Sequence, residues 1–214
     1  MKKKLGLSAY EQNNQIATEN RQFLYGKGIF AINIIGSPGC GKTSILEYTA
    51  GNFKKPFGVI IGDVKTALDS NRVIKAGNNF SYAIETGGGC HISPLQLKEK
   101  LNEINTDIDY LFVENVGNLV CPSSFDLGES FKVAVLSIPE GDEKVRKYPS
   151  LFLKAEAVII NKIDLLDYMD YDIDQVVKDC KTHNPKAEIF KTSIKTGEGF
   201  SEWFEFLTEK RKHF

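Results

Sequence analysis

The sequence predicts an α/β domain of three layers, with a mainly parallel sheet and an N-terminal helix. Three observations carry this. Short apolar runs recur along the chain and are nearly continuous in hydrophobicity, as expected of parallel strands covered on both faces. Stretches with helical spacing of apolar residues separate them, so strand and helix alternate. The first run leads straight into a glycine-rich loop, and in such sheets ligands sit beyond the carboxyl ends of strands.

In chain order, residues 8–25 are polar with apolar positions at Ile16, Ala17, Phe23 and Leu24, followed by Gly26 and Gly28. That pattern predicts an amphipathic helix ended by glycine. Strands are expected at Phe30–Ile35, Phe57–Ile61, Phe80–Ile84, Tyr110–Val113, Val133–Ile138, Val158–Ile160 and Ala187–Phe190. Helices are expected at 43–53, 66–76, 93–104, 174–183 and 199–212. The last carries Phe200, Trp203, Phe204 and Leu207 at spacings of three and four, a stripe that faces a core.

The chain has 214 residues, 27 Lys+Arg against 28 Asp+Glu, and a formal charge of −1. This length suits one domain, 1–214, with the N-terminal helix in 1–28 and the remainder in 29–214. The balanced charge argues against a nucleic-acid surface, and no apolar run approaches the roughly 18 residues that cross a bilayer. After Met1-Lys2-Lys3-Lys4 comes a mixed polar stretch without the apolar core of a secretory signal. Four cysteines, at 40, 90, 121 and 180, are too sparse for a disulfide framework. A cytoplasmic protein, without nucleic-acid or membrane partners, is expected.

Gly36-Ser37-Pro38-Gly39-Cys40-Gly41-Lys42-Thr43 satisfies GxxxxGK[ST] between a predicted strand and the helical run that starts at Ser44. Its glycines let successive N–H groups converge on a phosphate, and the following helix adds its positive end. Lys42 is expected to neutralise β/γ-phosphate oxygens and the Thr43 hydroxyl to ligate Mg²⁺. Chance matches should occur in about 1% of chains of this length, before the strand–loop–helix context is counted. A P-loop NTPase domain follows. Asp63 and Glu114 each end a predicted strand, where a carboxylate can hold Mg²⁺ or orient an attacking water. Glu114-Asn115-Val116-Gly117 stands where many such proteins have DxxG, so Gly117 is expected to offer its N–H to the γ-phosphate.

Asn161-Lys162-Ile163-Asp164 is NKxD at a strand end. One carboxylate accepts from both N1–H and N2–H₂ of guanine, whereas adenine leaves it facing a repelling edge. Lys162 can lay its stem on the base, and Asn161 can tie loops together. Thr192-Ser193-Ile194-Lys195 resembles the loop that braces the guanine O6 side in GTPases. GTP is therefore the expected nucleotide; a P-loop kinase or ATPase is the reading that NKxD disfavours.

Cys90-His91 follows three glycines, and Cys121 precedes Pro122. Thiolate and imidazole suit Zn²⁺ or Ni²⁺, and three ligands leave a site that water or a second subunit must complete. The spacing alone, with no tight CxxC, favours small buried cysteines and an ordinary surface histidine.

Taken together, Gly36–Thr43, Gly62-Asp63-Val64, Thr86–His91, Glu114–Pro122, Glu140-Gly141-Asp142, Lys147-Tyr148-Pro149 and Asn161–Asp164 resemble the hydrogenase nickel-incorporation GTPases, from about Asn14 to Gly199. Urease accessory GTPases, the nearest relatives, carry Cys-Pro-His and Glu-Ser-Gly-Gly instead. The resemblance implies a GTP-hydrolysing, nucleotide-dependent homodimer that passes Ni²⁺ toward a hydrogenase large-subunit precursor with a small zinc-containing accessory protein. It also implies a shared Ni²⁺ or Zn²⁺ site made by Cys90, His91 and Cys121. On this reading Lys42, Asp63 and Glu114 serve catalysis. Gly36, Gly39, Cys40, Gly41, Lys42, Thr43, Ser44, Gly117, Asn161, Lys162, Asp164, Ser193, Ile194 and Lys195 hold the nucleotide; Thr43, Asp63 and Glu114 hold Mg²⁺. Cys40 is expected to be a filler; Lys144, Arg146 and Lys147 are candidates for completing the site across a dimer, and a solvated basic cluster is the equally open alternative. Two alternatives are a urease-type nickel accessory GTPase and a regulatory GTPase module with structural cysteines.

Overall fold

A computed structural model of the chain describes residues 8–63, 68–76, 80–104 and 107–214, with the side chains of 63 and 68–70 outside the description. Helix α1 (Ala9–Gly26) starts at a capping box in which the Ser8 hydroxyl accepts from Glu11 N and the Glu11 carboxylate accepts from Ser8 N. Strands β1 (Phe30–Gly36), β2 (Phe57–Asp63), β3 (Ser81–Glu85) and β4 (Tyr110–Glu114) alternate with α2 (Lys42–Asn52), α3 (Leu68–Lys75) and α4 (Pro94–Leu101). Then follow α5 (Cys121–Ser124), β5 (Phe131–Ser137), α6 (Lys144–Lys147), α7 (Pro149–Lys154), β6 (Ala155–Asn161), α8 (Ile173–His183), β7 (Glu188–Thr192) and α9 (Phe200–Lys212).

The strands form one seven-stranded sheet in the order β3-β2-β4-β1-β5-β6-β7, and every pairing is parallel. All seven expected strands are present, within three residues of their expected limits. The expected strand end at Ile138 shortens to Ser137, because Ile138 enters a short 3₁₀ turn with Pro139, which has no N–H for a ladder. The α3 expectation at 66–76 falls partly on residues outside the description.

One face of the sheet carries α2, α3 and α9: Ile45, Leu46, Val73, Phe200, Trp203 and Leu207 pack on Ile32, Ile34, Val59 and Ile159. The other face carries α1 and α4 over β2 and β4, with α6, α7 and α8 over β5 and β6. Strand β1 is buried along its whole length, which explains an apolar run interrupted by Asn33 alone before the closing Gly36. Helix α1 is tied down by polar contacts as well: Asn20 Nδ2 donates to Pro94 O and Leu127 O, both at 2.9 Å. The short α5, α6 and α7 and the 3₁₀ segment Ile163–Tyr168 were not foreseen, since four to six residues are too few to display a helical period.

This topology brings the carboxyl ends of β1, β2, β4, β6 and β7 to one edge. Ile34 of β1 and Ile61 of β2 both stand beside Glu114, and Asn161 of β6 stands beside Thr192 of β7.

Candidate nucleotide and metal sites

The loop after β1 is shaped by close approach. A Cβ on Gly36 would lie 2.6 Å from Cys40 Sγ and 2.7 Å from Val135 O. Gly41, at φ +102°, starts α2 in the left-handed region, and a Cβ there would run into the Asn161 amide. Cys40 is wholly buried, and burial pushes its thiol up to about 11, so it fills space beneath the loop as expected of a filler. Lys42 Nζ lies 3.1 Å from the carbonyls of Gly36 and of Ser37, curled over the loop where a phosphate chain is held in P-loop proteins. Thr43 Oγ1 donates to Glu114 Oε1 at 2.9 Å. Two hard oxygen donors from separate elements thus meet, a pairing that fits Mg²⁺. Asp63 ends β2 beside them, but its side chain lies outside the described residues.

Lys42, Thr43 and Glu114 line a cavity of about 430 Å³ together with Gly39, Gly117 and Lys162. Gly117 leans on the loop itself: a Cβ would sit 2.8 Å from Pro38 Cγ and 3.0 Å from Pro38 N. Sequence reasoning missed Arg72 at the cavity wall; α3 brings it there, and it grips both Glu47 carboxylate oxygens at 3.0 and 2.8 Å.

At the base end, Asn161 Nδ2 donates to Cys40 O at 3.0 Å and Asn161 Oδ1 accepts from Thr192 Oγ1 at 3.3 Å. One buried amide therefore ties the phosphate loop to β7. Lys162 takes φ +62° and donates to Gly39 O at 2.7 Å. Its left-handed backbone turns the chain sharply off β6, a conformation costly for a residue other than glycine and expected at a binding site. Asp164 accepts from Ser193 Oγ at 2.6 Å, and Ser193 Oγ accepts in turn from Thr196 N at 3.3 Å. Ile194 packs against the core edge, while Lys195 is exposed. The two loops that sequence reasoning assigned to guanine are therefore adjacent and hydrogen-bonded.

The third site lies between β3 and α4 on one side and α5 on the other. The ligand atoms of Cys90, His91 and Cys121 all lie within 4.8 Å of one another. The Cys90 Sγ to His91 Nδ1 distance is 3.5 Å, and Asn118 Nδ2 donates to Cys90 O at 3.3 Å, clasping the two loops. The neighbouring Cys121 thiol, with slight desolvation at an otherwise exposed position, raises the Cys90 thiol, and burial lowers the His91 imidazole. The His91 ring stacks on Phe125 at 4.1 Å and 7°. Sequence reasoning missed Phe125; its position four residues past Cys121 was the available signal. Soft sulfur and borderline nitrogen donors, open to solvent on one side, fit Ni²⁺ or Zn²⁺ with coordination left for another ligand.

Lys144, Arg146 and Lys147 sit on α6. There they pair with Glu140 at 3.8 Å, with Asp142 at 3.6 Å and Asp179 at 3.3 Å, and with Glu143 respectively.

Residues 30–191 match the family described as CobW/HypB/UreG, nucleotide-binding domain. The chain is 38% identical to hydrogenase maturation factor HypB of Escherichia coli (strain K12), over 96% of this chain and 71% of that protein. It is 38% identical to the crystal structure of hydrogenase maturation factor HypB from Archaeoglobus fulgidus, with a TM-score of 0.87 over 94% of this chain and 98% of that one. The crystal structure of HypB from Helicobacter pylori in complex with nickel is 36% identical, with a TM-score of 0.91 over 94% of this chain and 96% of that one. By sequence and by fold, the chain belongs to the CobW/HypB/UreG family, among the hydrogenase maturation factors of the HypB type.

Proposed function

We propose that this chain is a single-domain, GTP-hydrolysing metallochaperone that carries Ni²⁺ during hydrogenase maturation, with Zn²⁺ as a competing occupant. The observation that carries the reading is that the segment leaving β4 serves both sites, placing Glu114 and Gly117 at a guanine-type nucleotide cleft and Cys121 in the Cys90–His91–Cys121 cluster.

In the proposed reaction, Asp63 orients a water toward the γ-phosphate, while Lys42 and the amides of Gly39 to Thr43 hold the phosphate oxygens. Mg²⁺, when held by Thr43 and Glu114, supplies positive charge to the phosphate oxygens. The Gly117 N–H meets the γ-phosphate, and Asp164, braced by Ser193, selects guanine. Without a further cation, turnover should be slow. Lys144, Arg146 and Lys147 are candidates for that cation across a homodimer, once released from their local acids.

The ion is cargo. Three ligands from one chain, completed by a second copy, make a nucleotide-dependent dimer the natural carrier. Contacts of Gly117 and Asp63 with the γ-phosphate would move the segments that lead into Cys121 and Cys90, so that nucleotide state sets metal affinity. A small zinc-containing accessory protein and the hydrogenase large-subunit precursor are the proposed partners. Native mass measurement during Ni²⁺ titration, with GDP and with a non-hydrolysable GTP analogue, tests this. One ion per two chains and unequal affinities in the two states are expected. Equal affinities would refute the coupling, and metal binding unaffected by loss of both cysteines would refute the site.

A further inference from the structure

A chain of buried polar side chains runs through the sheet between the two sites. Asn115 follows Glu114 directly and is almost wholly buried. Its Oδ1 accepts from Ile92 N at 3.0 Å, the residue after His91, and from Val116 N at 3.1 Å. Its Nδ2 donates to Asn33 Oδ1 at 3.1 Å, on the central strand β1. Asn33 Nδ2 donates to Glu129 Oε1 at 3.1 Å. Glu129 in turn pairs with Lys132, whose Nζ donates to Phe125 O at 2.9 Å. Phe125 is the residue whose ring stacks on His91.

The path therefore closes on itself. One arm from Asn115 holds the backbone just beyond His91. The other reaches Phe125, beyond Cys121, by way of Asn33, Glu129 and Lys132. Both halves of the metal cluster hang from the same amide, two residues from the glycine that rests on Pro38 of the phosphate loop. Apolar residues of similar size would have packed these positions without any need for satisfied partners. A fully bonded buried network instead resists gradual deformation: a shift at one member must break a bond or carry its neighbours along.

We propose that Asn115, with Asn33 behind it, is the positioning joint that transmits nucleotide state to the Cys90–His91–Cys121 cluster. This rests on the functional reading above. When residues 115–117 shift against the γ-phosphate, the Asn115 side chain pulls Ile92 and releases or tightens the path to Phe125. The two thiols then change separation.

The test is nickel affinity, measured by competition with a chromophoric chelator, in protein loaded with GDP or with a non-hydrolysable GTP analogue. Wild type, Asn33→Ala and Asn115→Asp are compared. Asn115→Asp keeps the two acceptor bonds and loses the donor to Asn33; Asn33→Ala cuts the path one step away. Wild type should show a ratio between states within the usual range of about 5- to 150-fold. In either variant that unfolds cooperatively, the ratio should fall toward one while affinity in the GDP state stays near that of wild type. A network that merely braces the fold would lower stability and leave the ratio intact, and that result overturns the proposal. A wild-type ratio of one ends the functional reading itself, and is seen before any substitution is made. Should both variants fail to fold, the ¹⁵N resonances of the Ile92 amide and the Asn115 side chain in wild type decide. They should shift between nucleotide states, and two unmoved resonances overturn the joint.

Discussion

Replacing Asp164 with Asn isolates base recognition, because the structure fixes how the new amide would stand. Ser193 Oγ is already engaged as an acceptor by Thr196 N at 3.3 Å, and it spends its own proton on Asp164 at 2.6 Å. In Asp164→Asn that proton is best accepted by the amide oxygen, which leaves the amide NH₂ where the second carboxylate oxygen stood. Guanine then meets a donor with a donor. The loss of one hydrogen bond to a charged group is worth about 1.5–3 kcal/mol, and leaving the buried N–H unpaired adds about 1–3 kcal/mol. Together these predict a loss of GTP affinity of roughly 10²–10⁴-fold. Xanthine carries a carbonyl at C2 and accepts from the new amide, so xanthosine triphosphate should gain as guanosine triphosphate loses. Competition against a fluorescent nucleotide at fixed Mg²⁺ measures both. Undiminished GTP affinity with no gain for the xanthine nucleotide would refute the assignment of Asp164 to the base.

Other perturbations address the remaining parts. Cys90→Ala or Cys121→Ala should weaken nickel binding by more than the roughly 10–100-fold that loss of even an outer partner produces, with nucleotide affinity kept; calorimetric titration reads this. Nickel affinity should rise with pH: the Cys90 thiol is raised by the neighbouring Cys121, so the ion must displace protons. The lowered His91 imidazole is neutral sooner and adds little above neutrality, and a chelator competition series that showed affinity falling with pH would contradict this assignment. Gly117→Ala, with its Cβ 2.8 Å from Pro38 Cγ, should slow GTP hydrolysis by roughly 10²-fold, as loss of a transition-state donor does, while GDP binding survives. Gly199→Ala places a Cβ against the Lys191 carbonyl at φ +75°, and urea unfolding should report a loss of at least about 1–2 kcal/mol.

Much of this was legible in the sequence because the informative features are local. GxxxxGK[ST] and NKxD are fixed-spacing segments at strand ends, and the seven apolar runs announce a sheet buried on both sides. Less legible was anything made by residues remote in the chain. Arg72 at the cavity wall, Asn33 mid-strand, Glu129 and Phe125 carry no spacing signature; a seven-residue strand with one Asn reads as a strand with a blemish. The metal cluster lay between these cases. Cys90-His91 and Cys121 are far apart in sequence, and their spacing alone favours inert cysteines. Only the order β3-β2-β4 in the sheet, with α5 folded back beside the glycine-rich turn after β3, brings them within reach. The short α5, α6 and α7 escaped notice because their geometry comes from proline starts and packing rather than amphipathic period.

The placement of β1 at the sheet's centre has a consequence for biosynthesis. Phe30–Gly36 pairs with Tyr110–Glu114 on one side and with Phe131–Val135 on the other. The strand that launches the phosphate loop therefore leaves the ribosome long before either neighbour exists. It must stay unpaired, and in need of shelter from aggregation, until translation has passed Glu114 at the end of β4. Its docking waits on the crossovers that carry Cys90, His91 and Cys121. A newborn chain thus acquires its nucleotide cradle and its ion ligands in one cooperative event, and truncated synthesis products should possess neither.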